Sequence, residues 1–348
     1  MVRCHACTQT QPEHMLTQFT CTQVLYTVYK EHHAVLAPLS PFTAQHSTQS
    51  VTISVSRPAR CALAHNLAAI ASCGDECLYV YHTHGTLLRK ISITRRVYSV
   101  KFLHSRPWLV VGEENGMVSI IDAITGTLLH RNRVHTYVIR DIFVSEDDSR
   151  VYTASWDFTA ALFSIDVAQL SRIAAAQSKP VRMLSQEASV FEGHNDKVNA
   201  VIEFMSGGVR VCATASEDNT VMVWASETGE VVSTLTKHCA SVQTLAVHPD
   251  RHMFASGGDD RMVYLWDTCS LDLTRSIRCD GFVRILVFAS DTTLLAAVFG
   301  ECVLAIDTTT GKTIGSRPVP PECPIIGLAA GVLNSIGVVL VFLISLIM

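Results

Sequence analysis

Short apolar runs, several of them alternating with a period of two and broken by turn residues, are the dominant pattern along the 348-residue chain. Val198 to Phe204 and Val242 to Val247 each read as an apolar strand. The stretch from Thr214 to Trp224 reads as a strand of small residues, a tight turn carrying Asp218, and an alternating strand that ends in Trp224. Ser256 to Asp267 repeats it almost residue for residue, with Asp260 in the turn and Trp266 at the end. Upstream lie Gly193-His194 and Lys237-His238, each just before one of the two apolar strands. The first apolar residues of successive opening strands are Val97, Ile139, Val198, Val242 and Val283, at intervals of 42, 59, 44 and 41. The long interval is explained by an insertion at 167–189, rich in Gln, Ala and Ser, which predicts a surface loop with a short helix from Ala168 to Ala176.

A unit of about 40–45 residues is the length of one four-stranded propeller blade, and the two strongest copies resemble WD40 repeats. That resemblance implies one hydrogen-bonded tetrad per blade: His194, Thr214, Asp218 and Trp224 in one copy, His238, Ser256, Asp260 and Trp266 in the next. A buried Asp linking a His to a hydroxyl and an indole N–H satisfies polar groups that burial would otherwise penalise. These residues are therefore read as structural, although they look like a Ser-His-Asp triad. A weaker copy carries His135, Thr153 and Asp157, with Phe163 at the Trp position, and residues 96–130 place Asn115 where Asp is expected. Residues 60–90 offer Asp75 and Tyr81, and residues 282–316 offer Gly300, Ile306 and Asp307. The expected fold is all-β, a propeller of about seven four-stranded blades occupying 23–348. N-terminal strands close the last blade, Val24 to Tyr29 as its third strand and Val51 to Ser56 as its outer one, with 33–49 as loop between them.

Composition changes the picture in three places. The formal net charge is −4 with no Lys/Arg block, which argues against a nucleic-acid backbone as partner. Twelve cysteines without a regular framework, and no apolar leader-like run at the start, read as reduced thiols of an intracellular, cytoplasmic protein. Cys4 and Cys7 could offer two corners of a zinc site, with His14 and Cys21 beyond, but no second close ligand pair completes it. Residues 1–22 are therefore read as a disordered or loosely packed segment with no metal. His32, His33, His82 and His84 lie in turn-like sequence without a ligand pattern, and no phosphate loop, HExxH or nucleophile elbow is present. The chain is expected to be neither an enzyme nor a cofactor carrier, and to have no small-molecule substrate.

Function is sought on the narrow face that carries the turns between second and third strands. The resemblance implies that the residue before each turn Asp looks out here: Gly74, Glu114, Trp156, Glu217, Asp259 and Phe299. A second set follows the first apolar residue of each opening strand: Tyr98, Arg140, Asn199, Gln243 and Arg284. Aromatics with Arg at a surface centre are the usual composition of a protein-binding hot spot. Trp156 is expected to be spare and exposed, because Phe163 already fills the core position of its blade. The expected function is a scaffold or adaptor binding a protein or peptide, with the three acids favouring a basic partner. The uncharged stretch 325–348 has two readings. It completes the seventh blade, with Pro324 to Ala330 and Ile336 to Ile344 as strands and 331–335 as turn. Alternatively it is a C-terminal membrane helix, making the chain a tail-anchored docking or trafficking protein. Repeat spacing favours the blade.

Overall fold

The structure is a computed structural model that describes residues 23–27, 34–39, 51–53, 58–64, 67–72, 76–82, 86–176, 188–248, 252–298, 302–318, 325–333 and 336–343. Side chains are described for Ala62, Ala64 and 67–69, and from residue 76 to 316 within those ranges.

Six antiparallel four-stranded sheets follow one another along the chain. Their first strands are Pro58–Ala64, Val97–Phe102, Ile139–Val144, Val198–Ser206, Val242–Val247 and Val283–Phe288. We number these sheets blades 1 to 6. Val97, Ile139, Val198, Val242 and Val283 each begin an opening strand, so the apolar spacing marked the blades to the residue. Blade 7 opens with Ile325–Leu333, and each opening strand packs against that of the next blade until Ile325–Leu333 meets both Val283–Phe288 and Pro58–Ala64. The seven strands thus form the inner wall of a closed ring. Closure leaves no blade with an open inner face, which is how such sheets avoid exposing unpaired backbone.

The core lies between neighbouring blades. Blades 4 and 5 meet through Phe204 stacked on Phe254 at 5.0 Å, with Trp266 a further 6.1 Å from Phe254. Burying a side chain of this size contributes about 1.5–3 kcal/mol. Polar stitches cross other seams: Ser99 Oγ of blade 2 donates to the Ile139 carbonyl of blade 3, and Leu286 N–H of blade 6 donates to Thr244 Oγ1 of blade 5. Tyr152 of blade 3 donates its hydroxyl to Glu203 of blade 4, which also accepts from Arg210 at 2.7 Å.

Blade 7 corrects the expected closure. Its sheet has five strands, in the order Ile325–Leu333, Ile336–Leu343, Gln23–Thr27, Ala34–Leu39 and Val51–Ile53. Gln23–Thr27 is the third strand, as expected, but it runs parallel to Ile336–Leu343. Ala34–Leu39, read as loop, pairs with it and pushes Val51–Ile53 to fifth place. Pro38 hid this strand, since a Pro lacks the N–H for a central ladder and demotes a run to edge or loop. The first strand also continues through Leu333, so residues 331–333, expected as turn, are strand. The membrane-helix alternative for 325–348 is corrected as well. Its described parts, Ile325–Leu333 and Ile336–Leu343, are strands that pair with each other, and no helix among the described residues is long and apolar enough to cross a membrane. The insertion contains the helix Val167–Ala176, capped by Asp166 accepting from Gln169 N–H, before the outer strand Ser189–Glu192 of blade 3. Residues 1–22, Gly74, Asp75, His84, Phe299 and Gly300 lie outside the described residues.

Candidate functional site

The turns between second and third strands are fastened by the tetrads. In blade 4, Asp218 Oδ2 lies 2.7 Å from His194 Nδ1, and His194 Nε2 lies 2.8 Å from Thr214 Oγ1. Trp224 Nε1–H donates to the same hydroxyl at 2.8 Å. Blade 5 repeats this with Asp260, His238, Ser256 and Trp266 at 2.8, 2.9 and 2.9 Å. An ionised carboxylate only accepts, so it is Nδ1–H that donates to the Asp. Blade 3 keeps His135, Thr153 and Asp157, with Nδ1 3.1 Å from Asp157 Oδ2 and Nε2 2.8 Å from Thr153 Oγ1, while Phe163 offers no N–H. Each Asp also accepts a backbone N–H from the loop before its blade: Thr136, Asn195 or Cys239. Burial pushes the Asp157, Asp218 and Asp260 carboxyls up, but the His bonds and the backbone and hydroxyl donors outweigh it and hold all three below the usual range. Blade 2 solves the same problem differently. Glu113, 1% exposed, accepts from Ser119 Oγ at 3.0 Å and from Arg131 Nη2 at 2.7 Å. Sequence patterning missed that pair because it departs from the repeat.

The outward-looking residues rest on this frame. Tyr98, Arg140, Asn199, Gln243 and Arg284 are each the extra residue of a β-bulge in an opening strand, where the register slips by one. A bulge re-aims one side chain away from the alternation of its strand. Glu114, Trp156, Glu217 and Asp259 precede the turn Asn or Asp of blades 2 to 5. The two sets interlock across blade seams. Trp156 Nε1–H donates to Asn199 Oδ1 at 3.2 Å, and Arg284 Nη1 sits 3.1 Å from Asp259 Oδ1, at ion-pair distance without hydrogen-bond alignment. Gln243 donates to the other Asp259 oxygen at 3.1 Å, and Lys197 Nζ lies 3.1 Å from Glu217 Oε2. Burial raises the Asp259 carboxyl above its usual range against the pull of Arg284 and Gln243.

Three expectations change here. Trp156 is half-buried and held, and Asn199 is only 3% exposed, its amide donating to the Val242 carbonyl, so it orients Trp156 and does not face a partner. Glu217 and Asp259 are matched within the chain by Lys197 and Arg284 and are not unpaired acids. Sequence reading also passed over the most exposed aromatics among the described residues. Tyr137 is 53% exposed with its ring 6.4 Å from Trp156, whose other aromatic neighbour is Tyr98 at 6.0 Å. Phe158, 45% exposed, occupies the left-handed turn position at φ 74°, where other blades place Gly116, Asn219 and Arg261. Phe282 is 37% exposed beneath the guanidinium groups of Arg261 and Arg284 at 5.5 and 5.6 Å. The available signal was an aromatic just before an opening strand, which holds for Tyr137 and Phe282.

The family profile described as "WD domain, G-beta repeat" matches residues 185–225 and 229–267, which carry the tetrads that are complete among the described residues. WD repeat-containing protein slp1 of Schizosaccharomyces pombe is 23% identical over 241 residues, covering 68% of this chain and 45% of that protein. Nuclear distribution protein nudF 2 of Penicillium rubens is 26% identical over 208 residues, covering 55% of this chain and 42% of that protein. The chain therefore spans less than half the length of either relative. The repeat matches, the tetrads and the closed ring of seven sheets agree: residues 185–225 and 229–267 are WD40 repeats within a β-propeller.

Proposed function

We propose that the chain is a non-catalytic scaffold that binds a protein or peptide on the face carrying the turns between second and third strands. Its likeness to WD40 proteins supports a role in protein interaction. The observation that carries the site is the Tyr98–Trp156–Tyr137 cluster. A half-buried indole is locked by Asn199 and flanked by a tyrosine left more than half exposed. A rigid aromatic anchor next to an exposed one is the make-up of a binding hot spot, where few residues carry most of the energy. Glu114 of blade 2 and Arg140 of blade 3 belong to the same two sets of positions, and Gln243, Asp259 and Arg284 extend them toward blade 6.

Affinity capture with the wild type, Tyr137→Ala, and Trp156→Ala tests the reading. Tyr137→Ala removes a side chain that is more than half exposed, so the variant stays folded and loses the main co-purifying proteins. An unchanged set of captured proteins from folded Tyr137→Ala and Trp156→Ala variants would move the site elsewhere on the ring.

A further inference from the structure

Lys197 holds its ammonium 5.4 Å above the centroid of the Trp156 ring and 3.1 Å from Glu217 Oε2. The aromatic cluster and the neighbouring carboxylate are thus already arranged around a positive charge, one supplied by the chain itself. The ring does not depend on that charge for its position: Trp156 is held by Asn199, and Asn199 by the Val242 carbonyl. Lys197 is 39% exposed on a four-carbon stem, so its head can swing into water at little cost. A similar assembly of ring, cation and acid recurs on this face at Phe282, Arg284 and Asp259. There a second guanidinium, that of Arg261, also covers the ring. At Trp156 the Lys197 ammonium covers the indole, and Tyr137 stands more than half exposed beside it.

We infer that Trp156, Tyr137 and Glu217 form a subsite for a cationic side chain of the partner, an ammonium or guanidinium group, with Lys197 as the resident ion that it displaces. This rests on the proposed interaction face and names the chemistry recognised there. A cation over an indole gains from the ring quadrupole, most when the pair is desolvated as a bound partner would make it. The Glu217 carboxylate supplies the counter-charge. Because Lys197 and the incoming cation compete for one place, removing Lys197 strengthens binding, the reverse of what loss of an ordinary contact residue does.

The test uses the full chain and short Gly/Ser peptides carrying one central Lys, Arg or norleucine. Tryptophan emission reports on Trp156, because Trp108, Trp224 and Trp266 are 4%, 1% and 2% exposed. The Lys and Arg peptides change the emission saturably and the norleucine peptide does not. Lys197→Met tightens the Lys and Arg peptides several-fold, and adding Glu217→Gln to it weakens them several-fold. Equal binding of the norleucine peptide, no binding of the charged ones, or unchanged or weaker binding to Lys197→Met would overturn the subsite. The two readings fail separately. Capture that depends on Tyr137 while the charged peptides do not bind removes the cation subsite and leaves the interaction face. Peptide binding as described with capture indifferent to Tyr137 does the opposite.

Discussion

Asp218 shows what a single residue does in this ring. It accepts from His194, from Asn195 N–H, and from both the backbone and the hydroxyl of Thr220, so it joins a loop, a turn and a core indole through one carboxylate. Asp218→Ala leaves buried donors without partners, and chemical denaturation should record a loss of about 1–3 kcal/mol. Equal stability of variant and parent would show that the tetrad does not hold the blade. The same bonds give a pH dependence. The folded-state pKa values of Asp157, Asp218 and Asp260 are all lowered, so the unfolded chain binds the proton more readily. Their contribution is complete above the unfolded carboxyl pKa near 3.9 and drains away as pH falls through the folded values. Denaturation midpoints measured downward from about pH 5 should therefore fall, and Asp218→Asn should flatten part of that slope. These residues were legible because Thr214, Asp218 and Trp224 lie within one hairpin and repeat at Ser256, Asp260 and Trp266. The holding of Trp156 was not legible, since Asn199 belongs to the next blade, 43 residues away.

At the level of the element, blade 3 departs from its neighbours where the proposed site lies. Its turn holds Phe158 at φ 74°, a conformation that costs a residue with a side chain about 1–2 kcal/mol. Blades 2 and 4 use Gly116 and Asn219 there, which adopt it cheaply. Phe158 is 45% exposed, so its burial returns little to the fold. Strain kept at an exposed aromatic is the pattern of a residue retained for contact. Phe158→Asn should raise stability by about 1 kcal/mol in denaturation and weaken partner capture. A variant less stable than the parent would mean that the ring packs in a way its exposure does not reveal. Strands of this kind were readable from apolar position and spacing, as Val97, Ile139, Val198, Val242 and Val283 demonstrate. Ala34–Leu39 was not, because Pro38 argues locally against a strand that pairing with Gln23–Thr27 nevertheless stabilises.

For the whole molecule the decisive element is the join. Ile325–Leu333 is the inner strand that touches blade 6 on one side and blade 1 on the other, and Ile336–Leu343 links it to Gln23–Thr27. Two distant parts of the chain therefore make one sheet, and neither can complete it alone. Deleting residues 325–348 removes the inner wall of blade 7 and strips Gln23–Thr27 of one of its two ladder partners. It also uncovers the flanks of Val283–Phe288 and Pro58–Ala64. Apolar surface and unpaired backbone exposed together favour association with other chains. The truncated protein should be insoluble, or should be cut by limiting protease in blades 1 and 6 under conditions that leave the full chain intact. A truncated chain that stays monomeric, protease-resistant and as stable as the parent would show that six blades close without the seventh.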